Sequence, residues 1–467
     1  MIVRGIAEPA DRPRGRHRER PHARRVTAVL LVAIALVAAA CSSPAGDDDE
    51  ATGTDDTTPA SPDTDATAPD TTTAPGDGPA EGEPVVVAVM YPDVSLAAEF
   101  GFAEPVSDFA PVFEAFMDEA NEQGGIAGHP IELEMVLFDY VVDGDAVRAC
   151  LTATQDLDAF VVLGTGGVFG DPVVCVTEQN ETLMIQDDGS PAEFYERAEG
   201  RLFTIVPSKA DTQVGIVEAF EDELRAAPFA VYSQLDTAGD HDTVETALLP
   251  ALADAGLEPA VTVVLDSDVE VATSQIPIEV GEIEAAGVET IISTSGFVAT
   301  APFSSALEAA GVDVTWLGSD AAGFANDLYA DQMDPDQMDG ARAVTVRTLG
   351  WENAGLGEPA TREACRTKAS ELLGTEIAVD SIDMAGVQYA CNFSNLLVTA
   401  GELVEGPLTT ESMAAALLAE TDIELADYGP AAFDGTHHAA SHAREVTWSA
   451  DCECWTAVGE FEPLYAG

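Results

Sequence analysis

The side chains with the most reactive chemistry are seven cysteines and a late histidine cluster. Residues 26–41 read VTAVLLVAIALVAAAC, behind an Arg-rich leader. A basic leader, a short apolar run, small residues and then a cysteine make a secretory signal with a lipoprotein cleavage pattern. The run falls short of the roughly 20 apolar residues that a membrane span needs. The expected mature chain therefore begins at Cys41, lipidated on its thiol and held at the outer face of the cell membrane. Export permits disulfides. The other six cysteines allow 15 connectivities, and pairing of sequence neighbours is the expectation: Cys150–Cys175, Cys365–Cys391 and Cys452–Cys454. The last pair, Cys-Glu-Cys, closes a strained small ring. Zinc fits these cysteines poorly, because the Cys-x-x-Cys spacing is absent. His437, His438 and His442 with Asp434 have ligand chemistry, but their loose spacing in a Gly/Thr/Ala-rich segment reads as a surface loop, and no metal site is expected. Trp448 and Trp455 flank the Cys-x-Cys and read as packing residues. No Gly-x-Ser-x-Gly, His-Glu-x-x-His or Walker loop occurs, so no enzyme and no cofactor is expected. The Gly-rich stretch 164–170 lacks the Lys-Ser/Thr of a phosphate cradle.

Charge narrows the partners. The 467 residues carry 84 acidic against 19 basic side chains, a formal net charge of −65. Eight of the 19 basic residues precede Val26, and the only lysines are Lys209 and Lys368. Nucleic acid is excluded, because phosphate binding needs clustered Lys and Arg. A polybasic membrane patch in the mature chain is excluded for the same reason. So acidic a surface repels itself unless salt screens it. A salt-rich habitat and a generally acidic secreted protein both fit. The Asp47-Asp48-Asp49 run is solvated charge in a tether.

The elements that must position a site begin after that tether. Residues 41–84 are Ser, Thr, Pro, Asp, Gly and Ala with little to bury, an extended disordered linker. At Val85 the pattern changes. VVVAVM (85–90) is a β-branched run, and a helical stretch over about 107–123 puts Phe109, Val112, Phe113 and Phe116 on one face before Gly124-Gly125 stops it. IELEMVLF (131–138) and AFVVLG (159–164) are strands with a helical stretch at about 144–156 between them. LMIQ, FAVYS, AVTVVL, ETIIST and VTWLG continue the alternation of strand and helix. That alternation specifies an α/β fold with parallel sheets flanked by helices, whose ligands bind at the carboxyl ends of the strands. The length suits two such lobes.

The stretch FEAFMDEANEQGGIAGHPIELEMVLFD (113–139) is the most specific. It resembles the extracytoplasmic solute-binding proteins of branched-chain amino-acid (Leu/Ile/Val) type ABC importers, the periplasmic binding protein type I family. In that family a helix ends in Asn-x-x-Gly-Gly-Ile-x-Gly and the next strand ends in Asp; Asn121, Gly124, Gly125, Ile126, Gly128, Pro130 and Asp139 match in order. VVLGTGG (161–167), TIVPSKADTQVGIV (204–217), LGSD (317–320) and FDGTHHAASH (433–442) are similar to later family segments in order and spacing. The resemblance implies two doubly wound lobes joined by a hinge: 85–206 plus about 343–428, and 207–342 plus about 429–467.

It also implies a cleft. In relatives that bind leucine-like amino acids, first-lobe amides and a hydroxyl hold the ligand carboxylate, and a second-lobe acid with aromatic residues holds its ammonium. Carried over, Gly166 and Gly167 supply the amides, Asp320 the acid, and Tyr91 lines the cleft after the first strand. The family's Ser in the amide loop is missing here. Its small residues and Thr after the fourth strand correspond to Asp187, Asp188 and Gly189, with Ser190 as substitute hydroxyl. The second-lobe aromatic position falls near Ala238, and the next cleft loop offers Phe297. An Asp pair where a carboxylate docks would repel it. The implied function is a non-enzymatic, lipid-anchored substrate-binding protein that delivers a small polar solute, an amino acid or a related amide or cationic compound, to a membrane permease of an ABC importer. The implied solute is cationic, amide-like or polyhydroxylated rather than a simple aliphatic amino acid. Asp187 and Asp188 as helix caps or solvent-facing groups is the plainer alternative. An extracellular ligand-sensing module and a structural surface lipoprotein are the competing functions.

Overall fold

A computed structural model describes residues 78–93, 108–139, 142, 144–235, 240–295, 297–320, 323–381 and 383–464. The apolar run, Cys41 and the Asp47–Asp49 run lie outside them. Among the described residues no helix is long and apolar enough to cross a membrane.

Among the described residues twelve strands form two sheets. The first holds β1 (Val85–Pro92), β2 (Ile131–Phe138), β3 (Val161–Gly164), β4 (Leu183–Gln186) and β5 (Leu202–Thr204), in the order β2-β1-β3-β4-β5, all parallel. The second holds β6 (Phe229–Gln234), β7 (Val261–Leu265), β8 (Thr290–Ser293), β9 (Thr315–Ser319), β10 (Arg342–Thr345), β11 (His442–Ser449) and β12 (Cys454–Pro463), in the order β12-β11-β10-β9-β8-β6-β7. β6 to β10 run parallel, and β11 and β12 are antiparallel additions at one edge. The parallel core of the fold is as expected, and the end of the chain adds an antiparallel pair that makes the second sheet mixed. A two-sided hairpin such as β11–β12 needs no crossover helix and leaves no strand–helix alternation to read.

The central strands are apolar on both faces because helices cover both faces. One core lies between the first sheet and helices Ala110–Glu122 and Met384–Leu403, and continues along the face of the second sheet covered by Lys209–Ala226. The opposite face of the first sheet packs on the Cys150–Cys175 disulfide. The opposite face of the second carries Tyr232, Phe303, Trp316 and both Trp448 and Trp455. The Tyr232 and Phe303 rings stack at 4.8 Å. The disulfides join sequence neighbours, Cys150–Cys175, Cys365–Cys391 and Cys452–Cys454.

The Asn-Gly-Gly motif has a clear mechanical role. The helix Ala110–Glu122 turns its apolar stripe, Val112, Phe113, Phe116, Met117 and Ala120, into the core. The Asn121 amide then bonds both backbone groups of Ile131, donating to its C=O (3.0 Å) and accepting from its N–H (2.6 Å). This pins the start of β2 to the end of the helix. Gly125, at φ +61°, passes so close to His129 that a Cβ would lie 2.1 Å from the His129 carbonyl oxygen. Residues at the end of the expected tether are held by the same turn: Ala80 N–H donates to Asn121 C=O (3.0 Å) and Gly82 N–H to Gly128 C=O (2.9 Å). Ala80 and Gly82 are thus held before Val85, because this turn offers carbonyls to them.

Three connections run between the sheets. The first leaves β5, and Ser208 caps the helix Lys209–Ala226 by accepting from Asp211 N–H. The second leaves β10 for the helix Ala360–Leu373, which packs against Ala110–Glu122. The third returns to β11, and on the way residues 437–440 lie along β5, with Thr204 N–H donating to His437 C=O and Ala439 N–H to Thr204 C=O. The second and third meet at an antiparallel bridge between Arg347 and Tyr428.

Candidate functional site

The carboxyl ends of β1, β3 and β4 bring Tyr91, Gly166, Gly167, Asp187, Asp188 and Ser190 onto one end of the first sheet. Asp320 follows β9 and reaches the same place from the second sheet. Phe297 opens the helix Phe297–Ala310, and Ala238 lies outside the described residues.

The two cleft amides are already occupied. Gly167, in the left-handed region at φ +92°, donates its N–H to Asp188 Oδ2 at 2.7 Å. Gly166 donates to the Tyr389 hydroxyl at 3.2 Å. The chain's own carboxylate and phenol therefore sit where the family resemblance places a ligand carboxylate. Burial first, and then the neighbouring Asp187, push the Asp188 carboxyl up to about 6, against the opposing pull of the Gly167 N–H and the Arg347 and Lys209 charges.

Asp187 is a different kind of group. It is 1% exposed, and its Oδ2 accepts from Arg347 Nη2 at 2.7 Å. Its Oδ1 accepts from the Tyr428 hydroxyl. The Arg347 guanidinium also lies over the Tyr428 ring, 4.8 Å from its centroid. Asp320 turns back toward the same connection, accepting from Thr345 Oγ1 (2.8 Å) and from Val346 N–H (2.6 Å). Burial raises its pKa, opposed by Arg347 and by those two hydrogen bonds. Asp187 and Asp320 thus flank one guanidinium at the connection between the sheets. Asp187 neither caps a helix nor faces solvent.

Ser190 is buried and accepts from Gln186 Nε2 (2.9 Å), so its hydroxyl supports the loop around Asp188. Tyr91 stacks with Phe109 at 5.9 Å, and Phe109 meets Tyr389 at 5.9 Å, forming an aromatic wall beside Gly166. Arg347 also lines a cavity of about 260 Å³ with Trp351, Gln388, Asp427 and Trp455.

Arg347, Tyr389 and Tyr428 carry no sequence motif that marks them for the site. One signal existed for the arginine: it is one of the eleven basic residues left after the leader's eight of 19. In so acidic a chain a cation among buried carboxylates is a scarce partner. The histidines disperse. His438 Nε2 lies 3.2 Å from Asp211 Oδ2, His437 packs on Phe203 with ring centroids 5.0 Å apart, and His442 begins β11.

The family model described as periplasmic binding protein matches residues 84–451. The chain belongs to the periplasmic binding protein family. Its two helix-flanked sheets are those of the type I members. No curated protein matches this binding protein in sequence. Solved structures share its fold at low identity. The branched-chain amino-acid transporter substrate-binding protein LivJ of Streptococcus pneumoniae, in complex with isoleucine, is 14% identical with a TM-score of 0.56, over 80% of this chain and 99% of that one. A solute-binding protein of an ABC transporter from R. palustris, in complex with 4-hydroxybenzoate, is 14% identical with a TM-score of 0.59, over 82% and 99%. A fatty acid ABC transporter substrate-binding protein from Thermomonospora curvata is 15% identical with a TM-score of 0.56, over 83% and 95%.

Proposed function

We propose that this binding protein is a lipid-anchored component of an ABC importer that captures a small polar solute between its two sheets and hands it to a membrane permease. The solute carries an amine, amide or other donor end rather than a free carboxylate. The carrying observation is the occupancy of Gly167 N–H by Asp188 and of Gly166 N–H by Tyr389. An incoming carboxylate would have to displace a carboxylate from its donor. A cation instead meets an acceptor already aimed, beside an aromatic wall that suits cations and planar groups. Arg347 offers an anion little, because Asp187 already neutralises it at 2.7 Å. A separate cavity of about 260 Å³ opens on the Arg347 side and is lined by Asp427 and Trp455 rather than by Gly166, Gly167 or Asp188. Capture works by population shift: a solute touching both sheets stabilises the closed arrangement.

Thermal unfolding against amino acids, amides, polyamines and sugars, in buffered molar salt, tests the reading. A solute at about 100 times its dissociation constant adds about 2.7 kcal/mol of stability. The expected result is a shift with cationic or amide solutes and none with L-leucine or L-valine. A shift with the aliphatic amino acids would restore a carboxylate site and overturn the proposal. The anchor has its own test: Cys41→Ser should move the protein from the membrane fraction to the medium. Retention of the variant on membranes would mean that the thiol carries no lipid.

A further inference from the structure

We propose that the Cys452–Cys454 disulfide is a thiol–disulfide exchange site, open to neutral or cationic low-molecular-weight thiols while the other two disulfides stay closed. It lies in the turn of the β11–β12 hairpin, next to Trp455, which lines the Arg347 cavity. Cys452 and Glu453 are exposed and Cys454 is partly so. The cysteines of the other pairs are 0–4% exposed and packed in the cores. Exchange requires a thiolate to reach a sulfur, so access separates the three pairs. The buried ones open only when their packing opens.

The hairpin does not depend on this bond. A pair two residues apart closes a very short loop and removes little freedom from the unfolded chain, whereas the pairs 25 and 26 residues apart remove more. The turn is fixed by other means. Ser449 pairs with Cys454, Trp448 with Trp455, and Thr447 with Thr456 in the ladder. Trp455 is 1% exposed, donates its indole N–H to Asn326 C=O at 3.3 Å, and accepts from Asn353 Nδ2 at 2.8 Å. Ala450 N–H donates to Asp339 Oδ1 at 2.9 Å. The bond can therefore cycle without unfolding its surroundings.

The chemistry balances with two external thiols. A thiolate bonds to the Cys452 sulfur, the S–S bond breaks, and Cys454 leaves as a thiolate that takes a proton. A second thiol then displaces Cys452 from the mixed disulfide. One protein disulfide is reduced and two small thiols are oxidised to their disulfide. Exposed Asp451 and Glu453 flank the pair in a chain of net charge −65, so anionic thiols are repelled at low salt.

The test holds the full chain in graded dithiothreitol, traps free thiols with iodoacetamide and locates them by peptide mass spectrometry. Cys452 and Cys454 should be labelled at about tenfold lower dithiothreitol than the other two pairs, with the melting temperature retained. Labelling of all three pairs together, or of this pair last, overturns the proposal. The double variant Cys452→Ser/Cys454→Ser should fold and lose every early label from residues 449–455; early labels at the buried pairs in that variant would also overturn it. At low salt cysteamine should open the bond about tenfold faster than glutathione, with the gap closing in molar salt. Equal rates at low salt would remove the charge selection.

Discussion

Arg347→Ala is expected to lower stability by about 2–3 kcal/mol and the melting temperature by about 5 °C. The variant leaves Asp187, 1% exposed, with the Tyr428 hydroxyl but no counter-charge. Breaking a buried pair by removing one partner costs roughly 3–5 kcal/mol. The lower figure applies here because the Arg347 side chain is 29% exposed and solvent screens part of its charge. Arg347→Lys should recover only part of the loss, since an ammonium has neither the planar fork nor the stacking over Tyr428. The double variant Arg347→Ala/Asp187→Asn should lose less than the sum of the two single variants, by about 1–2 kcal/mol. Denaturant titration of the four proteins measures this. A single variant that unfolds at the wild-type midpoint would show that the guanidinium does not hold the two sheets' acids together.

Asp188 sets the second large effect, and its sign is opposite to that of a salt-bridged carboxylate. Its folded pKa, about 6, lies above its ordinary 3.8. The folded protein holds the proton more tightly than the unfolded chain, so this group's contribution to stability falls as pH rises from about 4 to about 6 and stays reduced above that. Asp188→Asn should remove this slope. It should leave stability near pH 4 unchanged and raise it at pH 7 by about 1–2 kcal/mol, less than the full shift implies because the carboxylate is partly exposed. Solute binding should move the other way. A cation needs the ionised form, whose population falls from about nine-tenths at pH 7 to about one-tenth at pH 5, so affinity should fall about tenfold. The Asn variant should bind weakly at both pH values. Calorimetry with whichever solute raises the melting temperature measures both. Wild-type affinity unchanged between pH 7 and pH 5 would sink the assignment of Asp188 as the cation acceptor. A variant more stable but less able to bind is what a functional carboxylate held against its own preference produces.

Much of the architecture is local and was legible as such. The runs that became β3, β4, β6 and β8 are short and apolar, and a strand buried on both faces must read that way, whereas the three-residue β5 is too short to stand out beside the crossover that follows it. The helix that ends at Glu122 announces itself by its apolar stripe, and Asn121 with Gly124 and Gly125 marks how the chain re-enters the sheet. Neighbouring cysteines found each other because a disulfide about 25 residues apart can close within one strand–helix unit. What only the tertiary structure decided is how distant segments settle each other's charge. The sequence places two aspartates after the fourth strand and makes them look alike. Folding gives them different roles, because Arg347 arrives 160 residues later in sequence and Tyr428 241 residues later, and both spend their hydrogen bonds on Asp187. Asp320 likewise spends both oxygens on the connection that brings Arg347 in. Periodicity reports which face of an element is buried, not which element crosses over it. A site built where three connections pass between two sheets therefore depends on contacts that no window of sequence contains.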